Sequence, residues 1–331
     1  MCELQLIYKF GKEKLNEEDL KNFIKLMYLG DRYNHDAYGM FNKNYLFKAP
    51  GHFNYRTINE KKVLPESFIV GHNRFSTCND YPLTEGILIP MNENIWHNSM
   101  MSLVFGGIRG YKLESKTKKK FDNQKDIDIN ENNHPFKIGE LTLVHNGVIT
   151  NEFYLREKYN VDSSISTDSY VILFLIDHFI KVSKLKERKE RVIEAIKKTV
   201  KEIKGTYSCF LYDKNLDKLF YFKSDRVDFY FAIFNNTLIG STEKENLNYI
   251  IPRRNFYIGK LRPDIIYSVG DNPEKPFVME GIVDKKLYTT EYVTNFNIKR
   301  IKRKEVKNGD KNVQSSKNNF SILKKLKGGR K

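Results

Sequence analysis

Cys2-Glu3-Leu4-Gln5-Leu6-Ile7-Tyr8 is the stretch from which the rest of this chain can be read. Its apolar residues and its lack of Gly or Pro predict a strand, with alternate side chains on opposite faces, so that Glu3 points away from Cys2. Removal of Met1 would place a thiol and a free α-amine in one residue. An α-amine titrates near ~7.7–8.0, so a good part of it is unprotonated at neutral pH and can accept a proton. Such a residue is nucleophile and base in one, by the logic of an N-terminal threonine. A cysteine after Met1 means little alone, and its weight comes from the residues that accompany it.

The chain has 331 residues, enough for one large domain or two ordinary ones, with 40% hydrophobic and 13% aromatic residues, a globular composition. Neither a signal-peptide pattern nor a run of ~20 apolar residues is present, and a cytoplasmic location is expected. Cys2, Cys78 and Cys209 are odd in number and far apart, which argues against a disulfide framework and against zinc-type spacing. The seven histidines show no ligand pairing, and no Walker-type or Rossmann glycine string occurs, so no metal and no cofactor is expected. His178 lies in an apolar run and reads as a core residue. The charge of +16 is uneven, because Lys299–Lys331 holds 13 Lys or Arg against Glu305 and Asp310, a net +11. A basic segment of this kind attracts phosphate without sequence preference or is simply solvated.

Along the chain, Asn16 followed by Glu17-Glu18-Asp19 predicts a capped helix, with Leu20, Phe23, Ile24 and Met27 at helical spacing and Gly30 at its end. Asn34–Gly39 reads as a loop leading to short strands near Tyr45–Lys48, and Phe68–Thr77 as a strand whose end turns polar. Residues 82–132 read as a long insertion. Glu140–His145 is strand-like and predicts a turn at Asn146-Gly147. Ser166 or Thr167 caps an expected buried helix from Asp168, and Val192, Ile196, Val200 and Ile203 mark one face of a second helix closed by Gly205. Thr206–Tyr212, Lys218–Phe222, Phe229–Phe234 and Thr237–Ser241 predict an antiparallel meander, with edge strands at Ile265–Val269 and Pro276–Met279.

Four pieces stand beside Cys2: Gly71-His72-Asn73-Arg74-Phe75-Ser76-Thr77, Asn133-His134-Pro135-Phe136, Leu143-Val144-His145-Asn146-Gly147-Val148-Ile149-Thr150-Asn151, and Ser166-Thr167-Asp168-Ser169. Each is weak alone. In this order, over roughly the first 170 residues, the set resembles the class II glutamine amidotransferases, N-terminal-nucleophile hydrolases that form the glutaminase domains of larger synthases.

The resemblance implies roles. Cys2 would be the nucleophile, and the Asn146 side-chain amide with the Gly147 N–H would hold the tetrahedral oxyanion. Arg74 with Thr77 would bind the substrate carboxylate and Asp168 its ammonium, with Phe75 and His134 lining the substrate site. Each residue also has an ordinary structural reading: Asn146-Gly147 a hairpin turn, Arg74 a surface cation, Thr77 a strand residue, Asp168 an acid favoured at a helix N-terminus. His72 and His145 read as structural. The chain departs from the glucosamine-6-phosphate synthase branch at Phe75, where that branch has Trp, and at Cys78, where it has His. Glu3 stands where Gly is usual, Tyr170 where an acid is frequent, and Tyr33-Asn34-His35-Asp36 only partly matches the family's Arg-Gly-x-Asp loop.

These readings lead to an expected α+β fold, a four-layer αββα sandwich of the N-terminal-nucleophile hydrolase type over residues 2–295, with a basic tail over 296–331. The expected function is hydrolysis of glutamine to glutamate and ammonia, the ammonia passing to an acceptor on a partner synthase chain. The competing expectations are a non-catalytic amidotransferase-like protein held to nucleic acid by its tail, and a hydrolase of another amide.

Overall fold

The opening stretch forms the central strand β1 (Glu3–Lys9), buried along its whole length. Leu4, Leu6 and Tyr8 face one core and Ile7 faces another, so this strand is packed on both sides. The computed structural model describes residues 2–75, 130–162, 164–251 and 257–283. After β1 the chain forms α1 (Glu17–Asp31), β2 (Ala37–Phe41), β3 (Leu46–Pro50), the single turn α2 (Glu60–Val63), β4 (Phe68–Arg74), β5 (Phe136–Ile138), β6 (Leu141–Ile149) and α3 (Glu152–Tyr159). There follow α4 (Asp168–Val182), α5 (Arg188–Glu202), β7 (Gly205–Asp213), β8 (Lys218–Lys223), β9 (Tyr230–Phe234), β10 (Thr237–Ser241), α6 (Lys244–Ile250), β11 (Gly259–Lys260), β12 (Ile265–Asn272) and β13 (Lys275–Ile282).

These strands make a seven-stranded sheet in the order β11-β9-β10-β1-β4-β2-β3 and a six-stranded sheet in the order β13-β12-β8-β7-β6-β5. The pairs within both are antiparallel. Between the sheets, Leu4, Leu6, Phe68 and Val70 meet Val144, Phe210, Tyr212 and Tyr221. Leu20, Phe23 and Met27 of α1, with Leu247 and Ile250 of α6, cover the outer face of the first sheet. Helices α4 and α5 cover the second through Val171, Ile172, Leu175, Val192 and Ile196. Three apolar interfaces between four layers make the αββα sandwich that the order of elements predicts. No described helix is long and apolar enough to cross a membrane.

Helix α1 begins as its sequence predicts. The Asp19 N–H donates to Asn16 Oδ1 at 2.9 Å and the Asn16 N–H to Asp19 Oδ2 at 3.0 Å, a capping box. Asp19 also pairs with Lys9 at 3.3 Å and accepts from Thr237 Oγ1 at 2.8 Å, tying the helix start to β1 and β10. The helix lies so close to the sheet that a Cβ on Gly71 would overlap the Met27 sulfur. Glu3 faces this layer, away from Cys2. Burial pushes its carboxyl up to about 7, against hydrogen bonds from Ser241 Oγ at 3.0 Å and Asn246 Nδ2 at 2.5 Å.

Four expectations are corrected. Ala37-Tyr38-Gly39 is strand, because β2 is held between β3 and β4 along its length. Asn146-Gly147 is no turn: β6 runs through to Ile149, since β7 pairs with it residue by residue from Asp213 to Gly205. Thr167 precedes α4 without capping it, because its hydroxyl is committed to Asn132. The expected meander is two hairpins in different sheets, β7–β8 in one and β9–β10 in the other, as β10 takes its place beside β1. The strands near Ile265 and Pro276 do form, with β13 on the edge and β12 inside it. His178 is half-buried, with its ring edge-to-face against Tyr159 and Phe179.

One ion pair fixes the start of α5. Arg188 Nε donates to both oxygens of the fully buried Asp213 carboxylate, at 3.1 and 2.8 Å. Arg188→Met leaves that carboxylate with only the backbone donors of Asn215 and Leu216. Breaking a buried pair costs ~3–5 kcal/mol, and the lower end applies because Arg188 itself keeps some contact with solvent. Urea unfolding of the variant is expected to show a lower midpoint at unchanged slope.

Candidate active site

Strands β1 and β4 run side by side in the register Leu4 to His72 and Glu3 to Asn73, which brings the start of the chain to the end of β4. The Phe75 N–H points at Cys2 Sγ at 3.4 Å, and the thiol can donate to the Phe75 carbonyl at 3.6 Å. The Phe75 ring is half exposed at this edge. Arg74 is buried, with Nη1 on Asn133 Oδ1 at 2.7 Å and its carbonyl accepting from the Asp36 N–H at 3.1 Å.

The second sheet supplies the facing wall. On β6, Val144 enters the core between the sheets while Leu143 faces the helices. Alternation therefore turns Asn146, which is buried, toward β1 and sends the His145 side chain to α4. Gly147 has φ 150°, and a Cβ there would overlap the Thr206 carbonyl. The backbone beside Asn146 can thus be formed by glycine alone without displacing β7.

Asp168 opens α4 and is fixed from two sides. Its Oδ2 accepts the Ile149 N–H at 2.7 Å and its Oδ1 lies 3.2 Å from Ser169 Oγ. Ser169 Oγ is also 2.8 Å from His145 Nδ1, and His145 Nε2 lies 3.3 Å from the Thr206 carbonyl. The approach to α4 is held by Asn132, whose Oδ1 accepts from the Ser166 and Thr167 N–H groups at 2.7 and 3.3 Å.

Burial raises the Cys2 thiol above its ordinary value. The Phe75 N–H and the Arg74 charge act against this, and Asp168 adds to it. The thiol therefore lies within electrostatic reach of a cation and a carboxylate, is mostly protonated, and needs a base to become a nucleophile. Cys209, fully buried, faces the helices instead. Burial also keeps the rings of His72, His134 and His145 neutral. Among the described residues no group of three or more His, Cys, Asp or Glu is placed to hold a metal ion.

Of the sequence-derived site residues, the structure brings Cys2, Arg74, Phe75 and Asp168 together and sets Asn146 and Gly147 on the facing strand. His134 is buried, stacked on His72 with ring centres 3.9 Å apart. Thr77 and Cys78 lie outside the described residues, as do most of the expected insertion at 82–132 and all of the basic tail.

Residues 122–247 match the model of a family described as a glutamine amidotransferase domain. A glutamine–fructose-6-phosphate aminotransferase of Bacillus spizizenii is 33% identical over 99 residues, 29% of this chain and 16% of the relative. The Staphylococcus epidermidis enzyme of the same name is 39% identical over 89 residues, 26% of this chain and 14% of the relative. The glutamine phosphoribosylpyrophosphate amidotransferase of Bacillus subtilis superposes with TM-score 0.52 at 14% identity, over 86% of this chain and 50% of that one. Residues 122–247 are thus similar to glutamine amidotransferase domains. The superposition extends the shared fold well beyond the stretch matched in sequence. The chain spans only about one-sixth of the curated relative's length.

Within this candidate site, four features went unread in the sequence: the Asn132 anchor, the Ile149 N–H on Asp168, and the contacts of Ser169 and of His72 with His145. Asn132 directly precedes a quoted motif and Ser169 ends another, so adjacency alone could have flagged them. Nothing local signals the other two, because their partners lie 19 and 73 residues away.

Proposed function

We propose that this chain hydrolyses the side-chain amide of glutamine with Cys2, freed by removal of Met1, as nucleophile. The thiol proton passes to the α-amine of the same residue, Sγ bonds to the amide carbon, and the oxyanion is met by the Asn146 side-chain amide and the Gly147 N–H. The amine returns the proton to the departing nitrogen, the C–N bond breaks and ammonia leaves. Water then cleaves the thioester, giving glutamate and restoring the thiol. Arg74 and Thr77 receive the substrate carboxylate, Asp168 receives its ammonium, and Phe75 and His134 line the substrate side. No cofactor enters these steps.

The observation that carries this reading is the Cys2 thiol held against the Phe75 backbone, next in the chain to Arg74 and within electrostatic reach of both Arg74 and Asp168, opposite charges that match a zwitterionic substrate. The relatives are named as aminotransferases and amidotransferases, which supports transfer of the ammonia to an acceptor; we place that acceptor on a partner synthase protein, in a reducing cytoplasm. Intact-mass analysis of the purified full chain tests the chemistry. The expected result is loss of Met1 and the stoichiometric addition of one glutamine-analogue electrophile, mapped to Cys2. Retained Met1, or a label distributed over other cysteines, would overturn the assignment.

A further inference from the structure

His72 sits on β4 two residues before Arg74, opposite Leu4 of β1, and its side chain crosses to the other sheet. Its Nε2 lies 3.1 Å from the carbonyl oxygen of His145, the residue immediately before Asn146. A carbonyl can only accept, so Nε2 carries the ring proton and donates it, which fixes the tautomer and leaves Nδ1 bare. The ring is fully buried and is braced by the stacked ring of His134, with planes 25° apart. Two further polar links between the sheets lie elsewhere. Tyr8 with Asp271, and Lys43 with Asp217, join the opposite end of the sandwich. Arg74 with Asn133 reaches the segment before β5, not the Asn146 backbone. The nucleophile stands on one sheet and its oxyanion donors on the other, so the separation that catalysis needs is a separation between sheets.

We infer that His72 is a positioning residue that sets the distance between Cys2 and the Asn146–Gly147 oxyanion site, through its hydrogen bond to the His145 carbonyl across the sandwich. It acts through that bond: among the described residues the Cys2 thiol hydrogen-bonds to the Phe75 backbone and not to His72. This rests on the glutaminase reading of the site. The physical basis is that oxyanion donors act only when preorganised, and a misplacement of about 1 Å costs ~10²-fold in rate.

The test uses the full chain as wild type, His72→Met and His72→Gln. Methionine fills the space without a donor, whereas glutamine carries an N–H donor the same number of bonds from the backbone as Nε2. Two rates are read: steady-state ammonia release from glutamine, and alkylation of Cys2 by iodoacetamide, a displacement at a saturated carbon that develops no oxyanion. His72→Met is expected to lower kcat by about 10²-fold with little change in KM or in alkylation, and His72→Gln to recover most of the loss. Unchanged kcat in His72→Met would overturn the inference. So would a parallel fall in both rates, or a failure of glutamine to rescue, since either marks His72 as packing alone. A wild type that alkylates at Cys2 but releases no ammonia would overturn the glutaminase reading and this inference with it, and the wild-type arm distinguishes that case from the others.

Discussion

Cys2→Ala is expected to bring ammonia release from glutamine down to background, while Cys209→Ala keeps most of it. The two thiols differ in everything the reaction requires. Cys2 lies at the end of the sandwich, within electrostatic reach of Arg74 and Asp168 and in contact with the Phe75 backbone. Cys209 is fully buried against the helices, in a setting that holds its thiol well above the ordinary value and keeps it protonated. Removing a nucleophile from a covalent mechanism costs on the order of 10⁶ in kcat, because the remaining residues no longer act as a unit. Truncating Cys209 removes one sulfur from the core and is read as a modest loss of thermal stability. The measurement is coupled-enzyme detection of ammonia on both variants, with circular dichroism as the check on folding. Equal losses in the two would refute Cys2 as the nucleophile.

The second large effect is expected at Asp168, and it separates a glutamine site from a generic amide site. The carboxylate already accepts the Ile149 N–H at 2.7 Å, so truncation to alanine would disturb the junction of β6 and α4 as well as the substrate. Asp168→Asn keeps an oxygen for that N–H and removes the charge. A substrate ammonium left unpaired in a desolvated site costs ~2–5 kcal/mol. At about 1.4 kcal/mol per factor of ten this is between one and four orders of magnitude in kcat/KM for glutamine. Glutaramate, which lacks the α-amine, never makes the contact, so wild type should handle it poorly and Asp168→Asn should barely worsen it. The informative quantity is the ratio of the two substrates in wild type against the variant. Should both substrates fall equally, Asp168 is a structural junction, and recognition of the ammonium lies with another group.

The residues that proved legible are those whose signal is local. The capping box at Asn16 and Asp19, the apolar face of α5 and the alternation of β1 are each specified within a few neighbouring residues, and each appears as read. The ordered motifs likewise singled out Cys2, Arg74, Asn146 and Asp168 as candidates, without any knowledge of distance. What was misread depended on partners far along the chain. An Asn-Gly pair favours a turn by itself, yet β7 pairs through it. Thr167 would cap α4 by itself, yet Asn132, 35 residues earlier, takes its hydroxyl.

By itself, then, the sequence determined the layered α+β plan and the chemical types present at the candidate site: the Cys2 thiol, one guanidinium, one carboxylate and an Asn-Gly pair. These follow from side-chain period and residue identity, which are properties of short stretches. Only the tertiary structure decided that β9–β10 joins β1 while β7–β8 joins β6, so that Cys2 and the Asn146-Gly147 pair stand on different sheets. It also decided that His72 bridges those sheets and that Asp168 is held by the Ile149 backbone. Such features depend on which strands come to lie side by side, and that choice is set by burying three apolar interfaces at once, a condition no single stretch of the chain encodes.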